Sequence, residues 1–434
     1  MMNNYISSLS ILNHFNRNSV SMNKHMLHVA SGLRVRTVAE DPSGWAIGQR
    51  MSVEIRGLDQ AARNAQSSQS MLKVADGAVS STMDILRSLK EKAIAAANDT
   101  MTDRDRQNIQ KEFNQYIDQI DDNAYTTFNS KYLMDGSKSG AAVQTVQAFT
   151  NESLGKETKA DTALTDLTRR DGDGLGILAT DSVTVSYVKE GKTYSTSFEV
   201  GTSTLKDIFE KANQIDEDVF DISDMDGSST IGTDAHGNTK KTADEENAIT
   251  VKAAASGMDG ALGGFTISVT DRQGNMKKSV NAVLDAFAET IQGCNASSDT
   301  SLTSQTGTHA NQDIKIGLGD MRSRALGLRG EDGAVINVGS QKAATAAINV
   351  LDNALARTLD QATSIGAASN RLDYTINNLT IQSENLTAAQ TTILDANMAK
   401  EMLLFTRDRV LAEAAQAMLA QNNQNASWFL SLLG

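Results

Sequence analysis

Proline and cysteine are nearly absent from this chain of 434 residues, which contains one of each, Pro42 and Cys294. Because proline breaks helix interiors, its scarcity permits very long helices. A single cysteine excludes an intrachain disulfide, so stability must come from packing, either in a reducing compartment or after export without oxidative folding. Aromatic residues are also few, at 5 % of the chain.

Long hydrophobic runs and an excess of positive charge are missing as well. No stretch approaches the roughly 18 apolar residues of a membrane span, so we expect no membrane insertion. The first 15 residues contain no apolar run long enough for the core of a signal peptide, so we expect any export to follow a route that cleaves none. The formal net charge of −13 argues against nucleic-acid binding.

Apolar residues recur every seven positions near the N-terminus, which predicts a coiled-coil helix that ends near Gly32 and the stretch 40–44. A second row, at positions 51, 58, 65, 72, 79, 86 and 93, is apolar throughout. It predicts a helix over 51–97, about 70 Å long at about 1.5 Å per residue. Thr102-Asp103 should open a third, shorter helix. The first seam consists of Tyr5, Ser8, Leu12, Phe15, Ser19, Met22, Met26, Val29 and Leu33.

The C-terminal part mirrors this pattern. Six of the seven residues at positions 351, 358, 365, 372, 379, 386 and 393 are apolar, and a further helix is predicted from about Asn397. The chain ends in SWFLSLLG, and burying the large apolar residues of this tail would contribute on the order of 8–15 kcal/mol. Within one chain, the N-terminal helix is the obvious partner. The large tail residues are Trp428, Phe429, Leu430, Leu432 and Leu433.

Between residues 139 and 304 the sequence becomes rich in Gly, Asp, Ser and Thr, with β patterning. Alternation over 183–187 and 194–200 around Glu190-Gly191 predicts a hairpin, and 265–269 predicts another strand followed by a turn. Short helices are expected at 204–212 and 279–290. The fold class is therefore mainly α with an α+β insertion. Paired N- and C-terminal segments are expected to form a long antiparallel coiled-coil rod, and the β-rich insertion forms a central variable domain. The two ends of the insertion should lie close together, because the flanking helices pair.

No group of residues with catalytic or ligand-binding spacing is evident. His25 and His28 could share a helix face, but a metal site needs further ligands and none is evident. The stretch 222–233 resembles a calcium loop but has Ile222 and Thr233 where the first and last ligands should stand. Neither a zinc-protease motif nor a nucleophile beside a base is present. We therefore predict a structural protein, not an enzyme, with no catalytic, cofactor or metal site.

Five stretches together are similar to bacterial flagellins, the subunits of the flagellar filament. They cover much of both ends of the chain, 1–138 and 305–434, whereas 139–304 carries no usable signature. The stretches are ASGLRVRTVAEDPSGWAIGQRM (30–51), IRGLDQAARNAQSSQSMLKVADGAV (55–79), IGLGDMRSRALGL (316–328), RLDYTINNLTIQSENLTAAQTTILDANMAKEM (371–402) and AEAAQAMLAQNNQ (412–424).

The resemblance implies three domains and a mode of assembly. Residues 1–44 and 396–434 would form an inner coiled-coil domain, 45–138 and 305–395 a helical rod domain, and 139–304 the variable outer surface. The ends of family members are disordered before assembly and fold on polymerising. The expected polymerisation residues on the inner helices are Tyr5, Leu12, Phe15, Met22, Met26, Leu33, Phe405, Leu419, Trp428, Phe429, Leu430 and Leu433.

The resemblance also implies partners. These are other copies of the chain, an export chaperone that wraps the C-terminal helix, and hook-associated and cap proteins, with export through the flagellar type III apparatus to the cell exterior. Toll-like receptor 5 binds well-studied flagellins through an arginine, a leucine and a glutamate, which correspond here to Ser88, Lys92 and Glu112. Only the glutamate is kept, so we expect weakened affinity, unless the neighbouring Arg87 or Leu89 compensates.

Two alternatives remain at this point. Pro42 lies near a position where the hook–filament junction protein often has proline, although the long C-terminal rod helix and the QAMLAQ segment favour flagellin. An enzyme displayed on a filament would need a catalytic group within 139–304, and none was found.

Overall fold

The structure is a computed structural model that describes residues 2–216, 219–225 and 227–431, without the side chains of 2–5, 7, 425–427 and 429–431. It divides into two compact units. The terminal unit consists of Met1–Ala65, Gln305–Asp313 and Tyr374–Gly434, and the central unit consists of Gln66–Ser304 and Ile314–Asp373.

Helices make up both ends of the chain, as predicted, and two short helices lie in the middle. The three N-terminal helices are α1 (Met2–Ser31), α2 (Pro42–Ala97) and α3 (Asp103–Ala124). The others are α4 (Leu205–Asn213), α5 (Lys278–Leu284), α6 (Gln341–Leu394) and α7 (Met398–Ser431), with a short 3₁₀ helix at Leu164–Asp166.

The two seven-residue rows that predicted the long helices are the residues that α2 and α6 bury. In α2, Met51 is half-buried and the other six members of the row, at 58, 65, 72, 79, 86 and 93, are buried. In α6 the members at 351, 358, 365, 372 and 379 are buried, and the last two, Leu386 and Ile393, are half-buried. The apolar period therefore identified the packed face of each helix correctly.

Helix α2 begins nine residues before the predicted start at Met51. Pro42 occupies its first position, where the missing N–H of proline costs nothing. Asp41 caps the helix, because its Oδ1 accepts a hydrogen bond from Gly44 N at 2.9 Å. Helix α3 follows the predicted opening, and Thr102 and Asp105 form a reciprocal capping box.

Within the described residues, the strands lie in five small sheets. The three-stranded sheet has the order β10-β4-β5 and the four-stranded sheet has the order β11-β3-β9-β6; both are antiparallel. The other pairs are β1-β2, β7-β8 and β12-β13. The strands are β1 (Thr127–Phe128), β2 (Lys131–Tyr132), β3 (Val146–Asn151), β4 (Ser182–Lys189), β5 (Lys192–Glu199), β6 (Phe220–Asp221), β7 (Thr230–Thr233), β8 (Thr239–Lys241), β9 (Ile249–Ser256), β10 (Leu262–Thr270), β11 (Phe287–Ile291), β12 (Leu302–Gln305) and β13 (Asp313–Ile316).

An aromatic cluster forms the core of the insertion, between these two larger sheets and α4. The ring of Phe265 lies 5.2 Å from that of Phe149 and 5.5 Å from that of Phe220, both edge-to-face. It also lies 5.7 Å from Phe209 and 5.1 Å from Phe287. Such contacts add to the stabilisation that the buried area gives, and they hold the two sheets together.

The predicted helix over 279–290 is wrong in its second half. Helix α5 ends at Leu284, and residues Phe287–Ile291 form strand β11, which pairs with β3. The aromatic and β-branched residues of this segment favour a strand, and the cross-strand pairing and the core contacts of Phe287 override the apolar spacing. The predicted helix over 204–212 is confirmed as α4.

Two hairpin turns in the insertion differ in their surroundings. The predicted β4–β5 turn is confirmed, with positive φ at Glu190 and Gly191. A Cβ on Gly191 would lie 2.3 Å from the carbonyl oxygen of Ala334, so this turn packs against another loop. The turn after β10 is closed by Asp271, whose Oδ1 accepts from Asn275 N at 2.8 Å, and Gly274 has no neighbour within 4 Å of a Cβ position.

The two ends of the insertion lie side by side, as predicted. Ala142 N donates to the carbonyl of Ser297 at 3.0 Å, and Ser297 N donates back to the carbonyl of Ala142 at 2.9 Å. A buried ion pair between Arg357 of α6 and Glu289 of β11 attaches the insertion to α6. The insertion is thus a branch that leaves and rejoins the helical part at one place.

Candidate assembly surface of the terminal helices

Helices α1 and α7 pack side by side and run antiparallel. Asn422 Nδ2 donates to Ser8 Oγ at 2.6 Å, and Ser21 Oγ donates to Asp408 Oδ2 at 2.5 Å. As the residue number rises along α1, that of its partner on α7 falls. The antiparallel pairing predicted from the sequence is confirmed.

Hydrogen bonds join the segment that follows the C-terminal end of α1 to the segment that precedes the start of α7. Arg34 N donates to the carbonyl of Leu394 at 2.7 Å, and Ala396 N donates to that of Gly32 at 2.8 Å. The Arg34 guanidinium donates to the carbonyl of Ile393 at 2.6 Å. The segments that leave α1 and enter α7 are therefore tied to each other.

Two histidines and three carboxylates form a polar cluster at this end of the pair. His25 Nδ1 lies 2.6 Å from Glu401 Oε2, and His28 Nε2 lies 3.1 Å from Glu40 Oε1. Burial alone would raise the pKa of Glu40, but hydrogen bonds from Arg36 N, Thr37 N and His28 hold it at about 2.

The other two carboxylates behave alike. Burial raises the pKa of Glu401 and of Asp408, but the contacts of Glu401 with the histidines, and those of Asp408 with Ser21 and Arg407, outweigh it, so both pKa values are lowered. All three carboxylates are therefore ionised at neutral pH.

The same two helices expose many large apolar side chains. Trp428 is 75 % exposed, and Leu403 and Val410 are 66 % and 54 % exposed. Exposed apolar residues scattered singly are ordinary, but so many on one pair of helices indicate a surface that binds another molecule. Those on α1 are Ile6, Leu9, Leu12, Val20, Met26 and Leu27, and those on α7 are Met398, Met402, Leu403, Val410, Leu411, Met418 and Trp428.

The predicted polymerisation residues fall into three groups. Leu12, Met26 and Trp428 are exposed. The side chains of Tyr5, Phe429 and Leu430, and the whole of Leu433, lie outside the described residues. The half-buried group consists of Phe15, Met22, Leu33, Phe405 and Leu419.

The three predicted receptor-contact positions lie on α2 and α3. Lys92 Nζ is 2.7 Å from Glu112 Oε1 and 5.9 Å from the centre of the Tyr116 ring. Ser88 Oγ donates to the carbonyl of Asp84 at 3.0 Å. The ion pair of Lys92 with Glu112 was not foreseen, because the sequence does not give the distance between two helices.

None of the described helices combines the length and the apolar character that crossing a lipid bilayer requires.

Comparison with known proteins gives consistent matches along the chain. The model "Bacterial flagellin N-terminal helical region" matches residues 2–139, and "Bacterial flagellin C-terminal helical region" matches residues 348–433. A flagellin from Clostridium tyrobutyricum is 31 % identical over 430 residues, which cover 98 % of this chain and 99 % of that protein. A flagellin from Bacillus subtilis (strain 168) is 26 % identical over 451 residues, 99 % of each chain.

Paired terminal helices with an exposed apolar surface, around a β-rich insertion, define a structural subunit built for polymerisation. The chain belongs to the bacterial flagellin family. It is a subunit of the extracellular flagellar filament and serves motility. Its partners are, in general, other copies of the chain and other flagellar proteins.

Solved structures are more distant. FliC from Burkholderia pseudomallei aligns over 70 % of this chain and 99 % of its own, with 16 % identity and a TM-score of 0.27. The junction protein FlgL from Legionella pneumophila covers 81 % of this chain and 100 % of its own, with 12 % identity and a TM-score of 0.33. Structural similarity this weak does not distinguish a filament subunit from a junction protein, whereas the two relatives that match over nearly the full length are flagellins.

Proposed function

We propose that the exposed apolar residues of α1 and α7 are the contacts through which subunits form the inner tube of the filament. The observation that carries this proposal is the apolar face of α7. Leu403 and Val410 are seven residues apart and therefore lie on one side of the helix. They line an open depression together with Met402, Thr406, Arg407 and Leu411. Burial against a neighbouring subunit removes this surface from water.

The domain division follows from this role. Residues 1–44 and 396–434 form the inner domain, 45–138 and 305–395 form the rod domain, and 139–304 form the outer surface of the filament. The exposed apolar residues on α1 and α7 support the inner position of those helices, since an inner helix is covered by other subunits on several sides.

Removal of residues 427–434 tests the role of the tail. The shortened chain should keep the remaining helices and the insertion but form no filament, because the lost apolar area lies between subunits. Circular dichroism would establish that the shortened chain is folded, and electron microscopy after salt-induced assembly would show whether filaments form. Normal filaments from the shortened chain would contradict the proposal.

Before assembly, the apolar face of α7 needs another cover. We propose that a flagellar export chaperone binds this helix, and that hook-associated and cap proteins contact the subunits at the two ends of the filament. Between Val410 and the end of the chain only Glu413 is charged, which suits an apolar binding groove. Purified chaperone should retain the full chain but not a chain that ends at residue 397. Equal retention of both would refute chaperone binding at α7.

A second proposal concerns Toll-like receptor 5, which this flagellin should bind weakly. Lys92 stands where an apolar anchor is expected, and its ion pair occupies Glu112, the one contact residue that is kept. Ser88 cannot replace the fork of donors that an arginine offers. Desolvating the lysine is costly, and each lost anchor is worth about 2 kcal/mol or more. Together these changes should weaken binding by about two to three orders of magnitude.

The neighbouring residues offer limited compensation. Leu89 is fully buried, so of the two residues only Arg87 is accessible to a receptor. The guanidinium of Arg87 already pairs with Asp84, 3.0 Å from its Oδ1. Binding of monomer to the immobilised receptor ectodomain should rise strongly in a Ser88→Arg, Lys92→Leu double variant. The exposed lysine of α3 provides the matched control, Lys111→Leu, which should change nothing. Nanomolar binding by the unmodified chain, or no gain in the double variant, would falsify this proposal.

A further inference from the structure

Three side chains that could bind a metal ion meet where α1 packs against α7. His25, His28 and Glu401 each offer one ligand atom, and these atoms lie within 4.8 Å of one another. Glu401 Oε2 is 2.6 Å from His25 Nδ1 and 3.5 Å from His28 Nδ1. The sequence around His25 and His28 indicated no metal site, because the third ligand is 376 residues from His25.

The ring of His28 supplies an independent indication of a ligand. His28 is only 5 % exposed, and its Nδ1 is buried without a hydrogen-bond partner in the described part of the chain. Glu401 Oε2, at 3.5 Å, makes an ion-pair contact with this nitrogen that is longer than an ordinary hydrogen bond. A buried nitrogen left in this state is costly, and a bound ion would satisfy it.

A second layer of carboxylates stands behind the two rings. His28 Nε2 lies 3.1 Å from Glu40 Oε1, and His25 Nε2 lies 3.7 Å from Asp408 Oδ2. In metal sites, a ligating histidine usually donates its other ring N–H to such a carboxylate, which fixes the ring and raises its basicity. The arrangement leaves Nδ1 of both histidines to face Glu401.

The second layer is itself held in place. Glu40 Oε2 accepts hydrogen bonds from Arg36 N at 2.8 Å and Thr37 N at 3.3 Å. Asp408 Oδ2 accepts from Ser21, and Arg407 lies against its other oxygen. Both rings are therefore supported by carboxylates that are bonded elsewhere.

We propose that His25, His28 and Glu401 bind a divalent transition-metal ion, zinc by preference, across the α1–α7 pair. Two imidazoles and one carboxylate form a common zinc ligand set that leaves a fourth position for water. Bonds of about 2.0–2.2 Å in a tetrahedron place ligand atoms roughly 3.3–3.5 Å apart, and the distance from Glu401 Oε2 to His28 Nδ1, 3.5 Å, agrees with this value. The 2.6 Å from Glu401 Oε2 to His25 Nδ1 is a hydrogen-bond distance, so an ion would replace that hydrogen bond and move the two atoms apart. Imidazole ligands exclude calcium and magnesium as the preferred ions.

Charge also favours a cation here. Glu40, Glu401 and Asp408 bring three negative charges to the cluster, and Arg407 is the cation that pairs with Asp408. A divalent ion would compensate the remaining two charges. Because its ligands come from helices at opposite ends of the chain, the ion binds tightly only when α1 and α7 are paired, so its binding free energy adds to their pairing.

Zinc binding to filaments of the full chain, without a histidine tag, tests the proposal. Filaments are stripped with a chelator, equilibrated with zinc and pelleted, and the zinc in the pellet is measured. We expect about one ion per subunit. Affinity should fall at least about 100-fold in His28→Gln and Glu401→Gln, and about 10- to 100-fold in the second-layer variant Glu40→Gln. The matched control is His14→Gln, because His14 is an exposed histidine on α1, and it should bind normally.

Loss of assembly in a variant does not remove the test. Such a variant is polymerised with an equal amount of unmodified chain, and the bound zinc per subunit should then fall by half. Cobalt bound to stripped filaments should give the intense visible absorption of a tetrahedral site. The proposal is overturned if unmodified filaments bind no zinc in the micromolar range, or if His28→Gln and Glu401→Gln filaments or copolymers bind as much as His14→Gln.

Discussion

Truncating two exposed residues of α7 should weaken filament assembly without unfolding the helix. In the double variant Leu403→Ala, Val410→Ala, alanine keeps the helix propensity high while it removes most of the apolar side chain. Leu403 is 66 % exposed and Val410 is 54 % exposed, so over half of the burial free energy of each is still available for contacts between subunits.

The expected magnitude follows from these fractions. Fully burying a side chain of this size contributes about 1.5–3 kcal/mol. The exposed parts of the two residues correspond to about 2–3.5 kcal/mol, of which the remaining methyl groups keep a share. We therefore expect a loss of about 1.5–3 kcal/mol, and since 1.4 kcal/mol is tenfold, the critical concentration should rise roughly 10- to 100-fold.

Sedimentation of seeded filaments at a series of protein concentrations measures this quantity. Circular dichroism checks that helix content is unchanged. The matched control is Leu178→Ala, Val143→Ala, since these residues of the insertion are 59 % and 64 % exposed. An unchanged critical concentration for the α7 variant, or an equal rise for the control, would refute the assignment of this face to subunit contacts.

Two further predictions concern the central unit. Burial raises the pKa of Asp285 to about 6, although Asn349 and Ile267 N donate hydrogen bonds to it. The protonated carboxyl of Asp285 therefore contributes fully to the free energy of unfolding below about pH 4, and this contribution is lost as pH rises to about 6. In denaturant titrations, Asp285→Asn should raise the free energy of unfolding by about 2–3 kcal/mol at pH 7 and leave it unchanged at pH 3.5. Equal gains at both pH values would contradict this. Ala142 and Ser297 exchange backbone hydrogen bonds, so a two-residue turn can join them, and a chain in which Asn-Gly replaces residues 143–296 should still form filaments. If the shortened chain stays helical but forms no filaments, the insertion carries essential contacts.

The sequence predicted those parts of the fold that depend on periodicity and local signals. The apolar rows of α2 and α6 identify their buried faces, because a helix buries residues that recur at its own period. The helix start at Thr102-Asp103 and the turn at Glu190-Gly191 are local patterns, and both are confirmed.

The pairing of the terminal helices was predicted, but particular contacts between distant residues could not be. The segment Phe287–Ile291 has spacing that also suits a helix, and its pairing with β3, more than 130 residues earlier, decides for a strand. Glu401 joins His25 and His28 only after α7 has packed on α1, and Lys92 pairs with Glu112 only after α3 has folded back on α2. No pattern along the chain measures these separations.

The two hairpin turns of the insertion differ as places to graft a foreign peptide. At Glu190-Gly191 a Cβ would lie 2.3 Å from a backbone oxygen of the loop beside it, so added residues there would push that loop away. The turn at Asp271–Asn275 meets nothing at Gly274, and its hydrogen bonds close within the turn itself. Since each subunit of a filament repeats the same turn, a peptide placed at Gly274 would be displayed as a dense regular array, which suits vaccine particles and immobilised binding sites.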